Sequence, residues 1–131
     1  MGADHVINYK TNPKWGELAK KLTPNEAGVD HILEVGGFGT FHESLKAIKY
    51  EGIITLIGFL GGSTGEQSPS ALDALSSMCT IRAIYVGYKA QMEDMVIAFE
   101  TNDIHPVVDS KLFILEQVRD AYEYLVSNTI V

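Results

Sequence analysis

Gly28-Val29-Asp30-His31-Ile32-Leu33-Glu34-Val35-Gly36-Gly37, followed by Gly52-Ile53-Ile54-Thr55-Leu56-Ile57-Gly58-Phe59, decides how this chain folds. Each stretch is a strand-length run with β-branched residues that opens after one glycine and stops at another. The second is nearly continuous in its apolar character, as expected of a parallel strand covered on both faces. Between the two, Thr40 to Glu43 has the form of a capping box, the Thr accepting from the backbone NH that the Glu carries. Phe41, Leu45 and Ile48 then recur as an inward stripe, and Gly52 closes the predicted helix. A strand, a helix and a second strand in this order call for a crossover and a parallel pair.

Outward from this centre the alternation continues. Val6-Ile7-Asn8-Tyr9 is a short β-type run. Asn12-Pro13 supplies a helix cap and a first helical residue with preset φ. Trp15, Leu18, Ala19 and Leu22 follow at helical spacing until Thr23-Pro24. On the other side, Gly58 to Gly65 reads as a loop, Pro69 opens a short helix through Leu72 and Leu75, and Cys79 to Val86 is a strand. Met92, Met95, Val96 and Phe99 form another helical stripe, Pro106-Val107-Val108 an extended piece, and Val118, Ala121, Tyr122 and Leu125 a last helix. The pattern predicts one α/β domain over residues 1–131. Its parallel sheet is expected around Val29–Val35, Ile53–Ile57 and Thr80–Val86, with helices on both faces.

Composition narrows the function classes. A hydrophobic fraction of 46% and a charged fraction of 21% in 131 residues are those of an ordinary globular domain. The net charge of −7, with Lys20-Lys21 the only adjacent basic pair, argues against nucleic acid and membrane surfaces as partners. Cys79 stands alone, so neither an internal disulfide nor a Cys-based zinc cluster is possible. Met1-Gly2-Ala3-Asp4-His5 has no signal-peptide character, and Ile53 to Leu60 is too short to span a bilayer. The cytoplasm is the expected location.

Ligands of parallel α/β sheets bind outside the carboxyl ends of the strands. Three such ends carry small or glycine residues: Val35-Gly36-Gly37, Ile57-Gly58-Phe59 and Ala83-Ile84-Tyr85. Glycine there lets a ligand approach the backbone, but glycine also simply ends strands, and spacing alone leaves both readings open. Sharper motifs fail. After Gly37-Phe38-Gly39 a dinucleotide fingerprint needs glycine where His42 stands. No glycine is followed by Lys, which excludes a P-loop. His5, His31, His42 and His105 show no metal-ligand spacing. Glu34, on a buried strand, reads as a hydrogen-bonded structural carboxylate, Cys79 as a small buried hydrophobe, and Met92 and Met95 as core. No nucleophile-base pair is present, so no catalytic residue is assigned.

Met1-Gly-Ala-Asp-His-Val-Ile-Asn-Tyr-Lys10, the two glycine-bounded strands, and the tail resemble the medium-chain dehydrogenase/reductase family, in its zinc-type alcohol dehydrogenase and quinone oxidoreductase branches. In the tail, the likeness is carried by Asp109-Ser-Lys-Leu-Phe113, Leu115-Glu-Gln-Val118 and Ala121-Tyr-Glu-Tyr-Leu125. The resemblance implies a partial Rossmann-like, doubly wound parallel sheet lacking its first βαβ unit. It also implies NAD or NADP as cofactor of the intact parent, with zinc possible only in a catalytic domain outside these residues.

Carried over by position, Tyr9 lies beside the adenosine end of the cofactor, and Val35, Gly36 and Gly37 run along the adenosine and its ribose. Ile57, Gly58 and Phe59 correspond to the segment near the nicotinamide ribose. Ala83, Ile84 and Tyr85 correspond to the segment whose backbone meets the carboxamide. Phe38 and Phe41 depart from the smaller or differently shaped residues the family pattern suggests, which leaves the crevice shape beside Gly37 open. The implied function is to position a nicotinamide cofactor for hydride transfer to or from a small alcohol, aldehyde or quinone, with homo-oligomers formed through residues 77–84. A non-catalytic dimerisation or binding module and an inactive truncation product are the alternatives.

Overall fold

The computed structural model describes residues 2–58 and 70–127, which group into two compact units, Met1–Val86 and Gly87–Val131. Phe59, Pro69 and the residues between them, read above as a loop, lie outside the described residues. In the first unit, helix α1 (Trp15–Lys21) precedes strand β1 (Val29–Glu34). Helix α2 (Phe38–Ala47), strand β2 (Ile48–Leu56), helix α3 (Ala71–Ser77) and strand β3 (Thr80–Ala83) follow. The three strands form one sheet in the order β1-β2-β3, both pairs parallel, as the apolar runs predict.

Strand periodicity decides which residues make the core. Ile32, Ile54 and Ile81 stand side by side across the three strands. Ile54 is fully buried, and Phe41 from α2 and Ile48 pack with it, with Leu45, Leu56 and Cys79 at the margin. Full burial of one such side chain contributes about 1.5–3 kcal/mol, so this row accounts for much of what holds α2 on the sheet. One residue along, Leu33 is 70% exposed, because its neighbours in register are Thr55 and Arg82 on the other pleat.

Several local expectations resolve differently. Val6–Tyr9 is not a strand. No described strand lies beside it, and the polar residues after it close turns instead: the Asn8 carbonyl accepts from the Asn12 amide at 2.9 Å. Asn12 does not cap α1, which starts at Trp15, because its side-chain amide is turned back to the Asn8 carbonyl. The Thr40–Glu43 capping box does not form either. Helix α2 already begins at Phe38, the Thr40 hydroxyl donates to Glu34, and Glu43 accepts from the Gly16 amide at 2.9 Å. Tertiary partners have taken both side chains away from the local motif.

Helix α2 also ends earlier than Gly52. The backbone becomes extended at Ile48, and Gly52 lies buried inside β2. Ala47 and Ile48 are both buried and cannot lie on an exposed turn, while Glu51 takes φ +63 and donates its amide to the Met78 carbonyl at 2.8 Å. The register jumps there, from Val29 opposite Ile48 to His31 opposite Ile53.

In the second unit, helix α4 (Lys89–Thr101) and helix α5 (Val118–Val126) are the regular elements. None of its described residues is buried, and Met92 and Met95 are 58% and 41% exposed, so neither is a core residue within this unit. So short a segment cannot close a core of its own. Its own order comes from a smaller cluster. Lys111 Nζ lies 4.2 Å from the Tyr124 ring centroid, and the Tyr124 hydroxyl donates to Asp109 at 3.1 Å.

Helices α1 and α2 touch so closely that a Cβ on Gly16 would run into the backbone of Glu43. Burial alone would raise the Glu43 pKa, but the Lys46 ammonium and the Gly16 amide together bring it below its ordinary value. A depressed carboxylate contributes stability above its unfolded pKa, and that contribution is lost as pH falls through the folded value. Glu43→Gln is therefore expected to lower stability at pH 7 by about 1 kcal/mol, allowing for the half-exposed Lys46. The deficit should close as the pH drops below the carboxylate range, as urea unfolding at the two pH values would show.

Candidate functional site

Three residues, Val35, Gly36 and Gly37, carry the chain from the end of β1 into α2. Gly37 does this at φ +78 and ψ −139, a region nearly closed to side chains. The turn is held from beneath by Glu34, which is 3% exposed. Its Oε1 accepts from the Gly37 amide at 3.0 Å and from the Thr40 hydroxyl, and its Oε2 accepts from the Ser44 hydroxyl. The Glu34 main-chain carbonyl accepts from Ile57 at 2.9 Å, and the Leu56 carbonyl accepts from Ile84 at 3.0 Å. The ends of the three strands are thereby fixed in a staircase.

A cavity of about 350 Å³ opens at the carboxyl ends of these strands. Gly37, Ile57, Gly58, Ala83, Ile84 and Tyr85 all line it, so six of the positions named from the sequence come together. Phe38, Phe41 and Leu56 complete the wall. The two phenylalanines, whose effect on the crevice the sequence left open, give it an apolar, aromatic side. Leu56 was not anticipated; as the last inward residue of β2 it follows from the strand's period of two.

The remaining positions fare differently. Tyr9 is 56% exposed and is not among the lining residues, and neither are Val35 and Gly36. Gly36 is glycine because the Thr40 side chain occupies the space where a Cβ would stand. Gly58 is the opposite case. Its φ is unremarkable, and an added Cβ would approach no described atom closer than the Val35 carbonyl oxygen at 3.4 Å. Glycine there leaves room rather than relieving strain. Phe59 lies outside the described residues.

Among the described residues no three His, Cys, Asp or Glu side chains gather in a way that could hold a metal ion, and no helix is long and apolar enough to cross a membrane. His105 pairs with Asp103 at 3.1 Å on the exposed surface. Cys79, half-buried, has its thiol pKa pushed up by burial, which favours the unreactive protonated form.

Parallel strands joined through helices, with a cavity at the strands' carboxyl ends, define a Rossmann-like arrangement. The chain belongs to the zinc-binding dehydrogenase family, whose model matches residues 1–131. A zinc-type alcohol dehydrogenase-like protein of Schizosaccharomyces pombe is 41% identical over 126 residues, 95% of this chain and 36% of its own length. The solved structure of a Sinorhizobium meliloti 1021 protein assigned as an alcohol dehydrogenase is 33% identical, with a TM-score of 0.77 over 96% of this chain and 36% of that one. That of an NAD-dependent alcohol dehydrogenase, 23% identical, has the same fold, with a TM-score of 0.77 over 98% of this chain and 36% of that one. The chain thus spans little more than a third of the length of these relatives.

The conformation of Gly37 gives a direct test of the turn. Gly37→Ala is expected to cost about 1–3 kcal/mol, the penalty of forcing a side chain into that region. Gly58→Ala, without such strain, should change the unfolding midpoint little. Thermal melts of the two variants check this contrast.

Proposed function

We propose that this chain forms the strand-end part of a nicotinamide-cofactor site in an NAD(P)-dependent oxidoreductase. The parent would transfer hydride to or from a small alcohol, aldehyde or quinone. The observation that carries this reading is the cavity at the ends of three parallel strands, lined by Gly37, Ile57, Gly58, Ala83 and Ile84. Its volume lies near the lower end of the roughly 300–1,000 Å³ usual for ligand sites, which suits half of a dinucleotide better than the whole. An apolar wall with Phe38 and Phe41 fits a flat heteroaromatic ring, and strand-end peptide groups suit a carboxamide.

The cofactor, when bound, supplies the hydride chemistry. The residues of this chain orient its ring and keep water from one face. The dinucleotide's pyrophosphate has no such provision, since the 131 residues contain no glycine-rich phosphate turn. Zinc, where a parent of the alcohol dehydrogenase type uses it, would be held by residues other than these.

The chain by itself is therefore expected to bind NADH and NADPH weakly and to catalyse no hydride transfer, because ring contacts alone hardly offset the entropy lost on association. A titration of the ¹⁵N-labelled chain followed by NMR tests this. Shifts confined to Gly37, Ile57, Gly58, Ala83 and Ile84, saturating only towards millimolar ligand, are the expected result. No shift at these positions sinks the cavity assignment, and a low-micromolar dissociation constant sinks the claim of weak binding.

Self-association through residues 77–84 belongs to the same proposal. Among the described residues β3 is the last strand in the sheet order, and such an edge offers backbone donors and acceptors to a second copy. Sedimentation should show a dimer; a clean monomer at high micromolar concentration would refute it.

A further inference from the structure

We infer that Glu34 is a positioning residue for the cavity: its carboxylate, by its reach, sets the Gly36-Gly37 turn, of which Gly37 lines one wall. The inference deepens the cofactor reading and rests on it for its functional meaning. Its geometric part stands on the hydrogen bonds alone. Both carboxylate oxygens serve as acceptors, and the three donors come from the turn and from two successive levels of α2. The same residue's carbonyl holds Ile57, on the next strand end, at 2.9 Å. Glu34 therefore ties two lining positions to each other, Gly37 through its side chain and Ile57 through its main chain.

This arrangement fixes what a ligand can meet. The Gly37 amide points to Glu34 and its carbonyl accepts from Thr40 and Phe41 at 3.0 and 2.9 Å. The Ile57 and Ile84 amides are likewise engaged by the strand staircase. Gly37 thus presents the ring with an immobilised peptide edge rather than with a free donor. Should the carboxylate withdraw, the Gly37 amide would be released and buried without a partner, a state that drives the turn to rearrange.

A role of reach rather than of charge separates two conservative variants. In Glu34→Gln the amide oxygen can keep Gly37 and Thr40 while the NH₂ group faces Ser44, whose hydroxyl can turn and accept. Glu34→Asp keeps the charge but is one methylene too short to serve the turn and Ser44 together. The test is amide hydrogen exchange at Gly37 in the full chain, with Ile32 and Ile54 amides as reporters of an intact sheet, followed by NADH titration of each variant.

Glu34→Asp is expected to speed exchange at Gly37 by about ten-fold or more and to weaken the NADH response by a similar factor, while Glu34→Gln stays close to the unsubstituted chain. Equal behaviour of the two variants, or unchanged Gly37 exchange in Glu34→Asp, overturns the inference. If Glu34→Asp does not fold, Thr40→Val, which strips one donor from the same oxygen, is read instead. Faster Gly37 exchange supports the inference and unchanged exchange overturns it. An unsubstituted chain that gives no NADH response refutes the cofactor reading, and the exchange comparison then still decides whether Glu34 sets the turn.

Discussion

Between the end of β1 and the start of α2 the chain has three residues in which to reverse, and the last of them, Gly37, is buried. Backbone groups exposed by a tight turn are normally satisfied by water or by a local cap. Here Gly37 is the N-cap residue, and its own amide is buried with no carbonyl of the helix to meet it, so an acceptor outside the helix is required. Glu34 supplies it, and the requirement propagates. A glutamate on the buried face of β1 needs donors for its second oxygen, which places Ser44, fully buried, on the facing side of α2. Thr40 fills the space left by Gly36. One unsatisfied amide thus accounts for the identity of four neighbouring residues.

The sheet depends on a different constraint, the row of Ile32, Ile54 and Ile81. Because Ile54 is wholly buried, β2 cannot slip by one residue without exposing it and burying Thr55 in its place. The irregular start of β2 is compatible with this fixed centre. Glu51 at φ +63 and the register jump take up the extra residues before Ile53, so that the regular part of the strand begins in step with β1 and β3. The strand ends arrive in fixed register, Glu34 beside Leu56 and Leu56 beside Ala83, for the same reason, and a cavity at those ends follows.

What could be read from the sequence divides along these lines. The three parallel strands were legible because each carries β-branched residues in a strand-length run, two of them bounded by glycine at both ends, and a buried strand leaves that trace without reference to its partners. Six cavity positions were legible as residues at or near the carboxyl ends of such runs. The Thr40–Glu43 box was misleading because it is a local pattern whose two members found better partners at a distance, in Glu34 and Gly16. Gly52 misled in a similar way: as a strand residue beside a positive-φ glutamate it serves close packing against Ile48, which no spacing rule expresses. Val6–Tyr9 carries strand-like residues, but a strand is a pairing, and Val6 remains 89% exposed with no partner strand among the described residues. The role of Glu34 was seen only in outline, since its donors are spread over ten residues of sequence.

The cavity itself has the character of a selecting site rather than an anchoring one. Its walls are apolar and aromatic, and the peptide groups at its rim are largely engaged by one another through Glu34 and Leu56. Such a surface discriminates by shape, because a ring that does not fit finds no mobile donor to compensate it. It offers little binding energy, because no charged side chain stands among its described lining residues. In the proposed cofactor reading the two tasks are separated, with the phosphates held firmly elsewhere and the reactive ring aligned here. Rigidity then matters more than strength at this end, since a ring displaced by even about 1 Å loses much of its reactivity. A carboxylate buried beneath the turn, where solvent and ligand do not compete for it, meets that need.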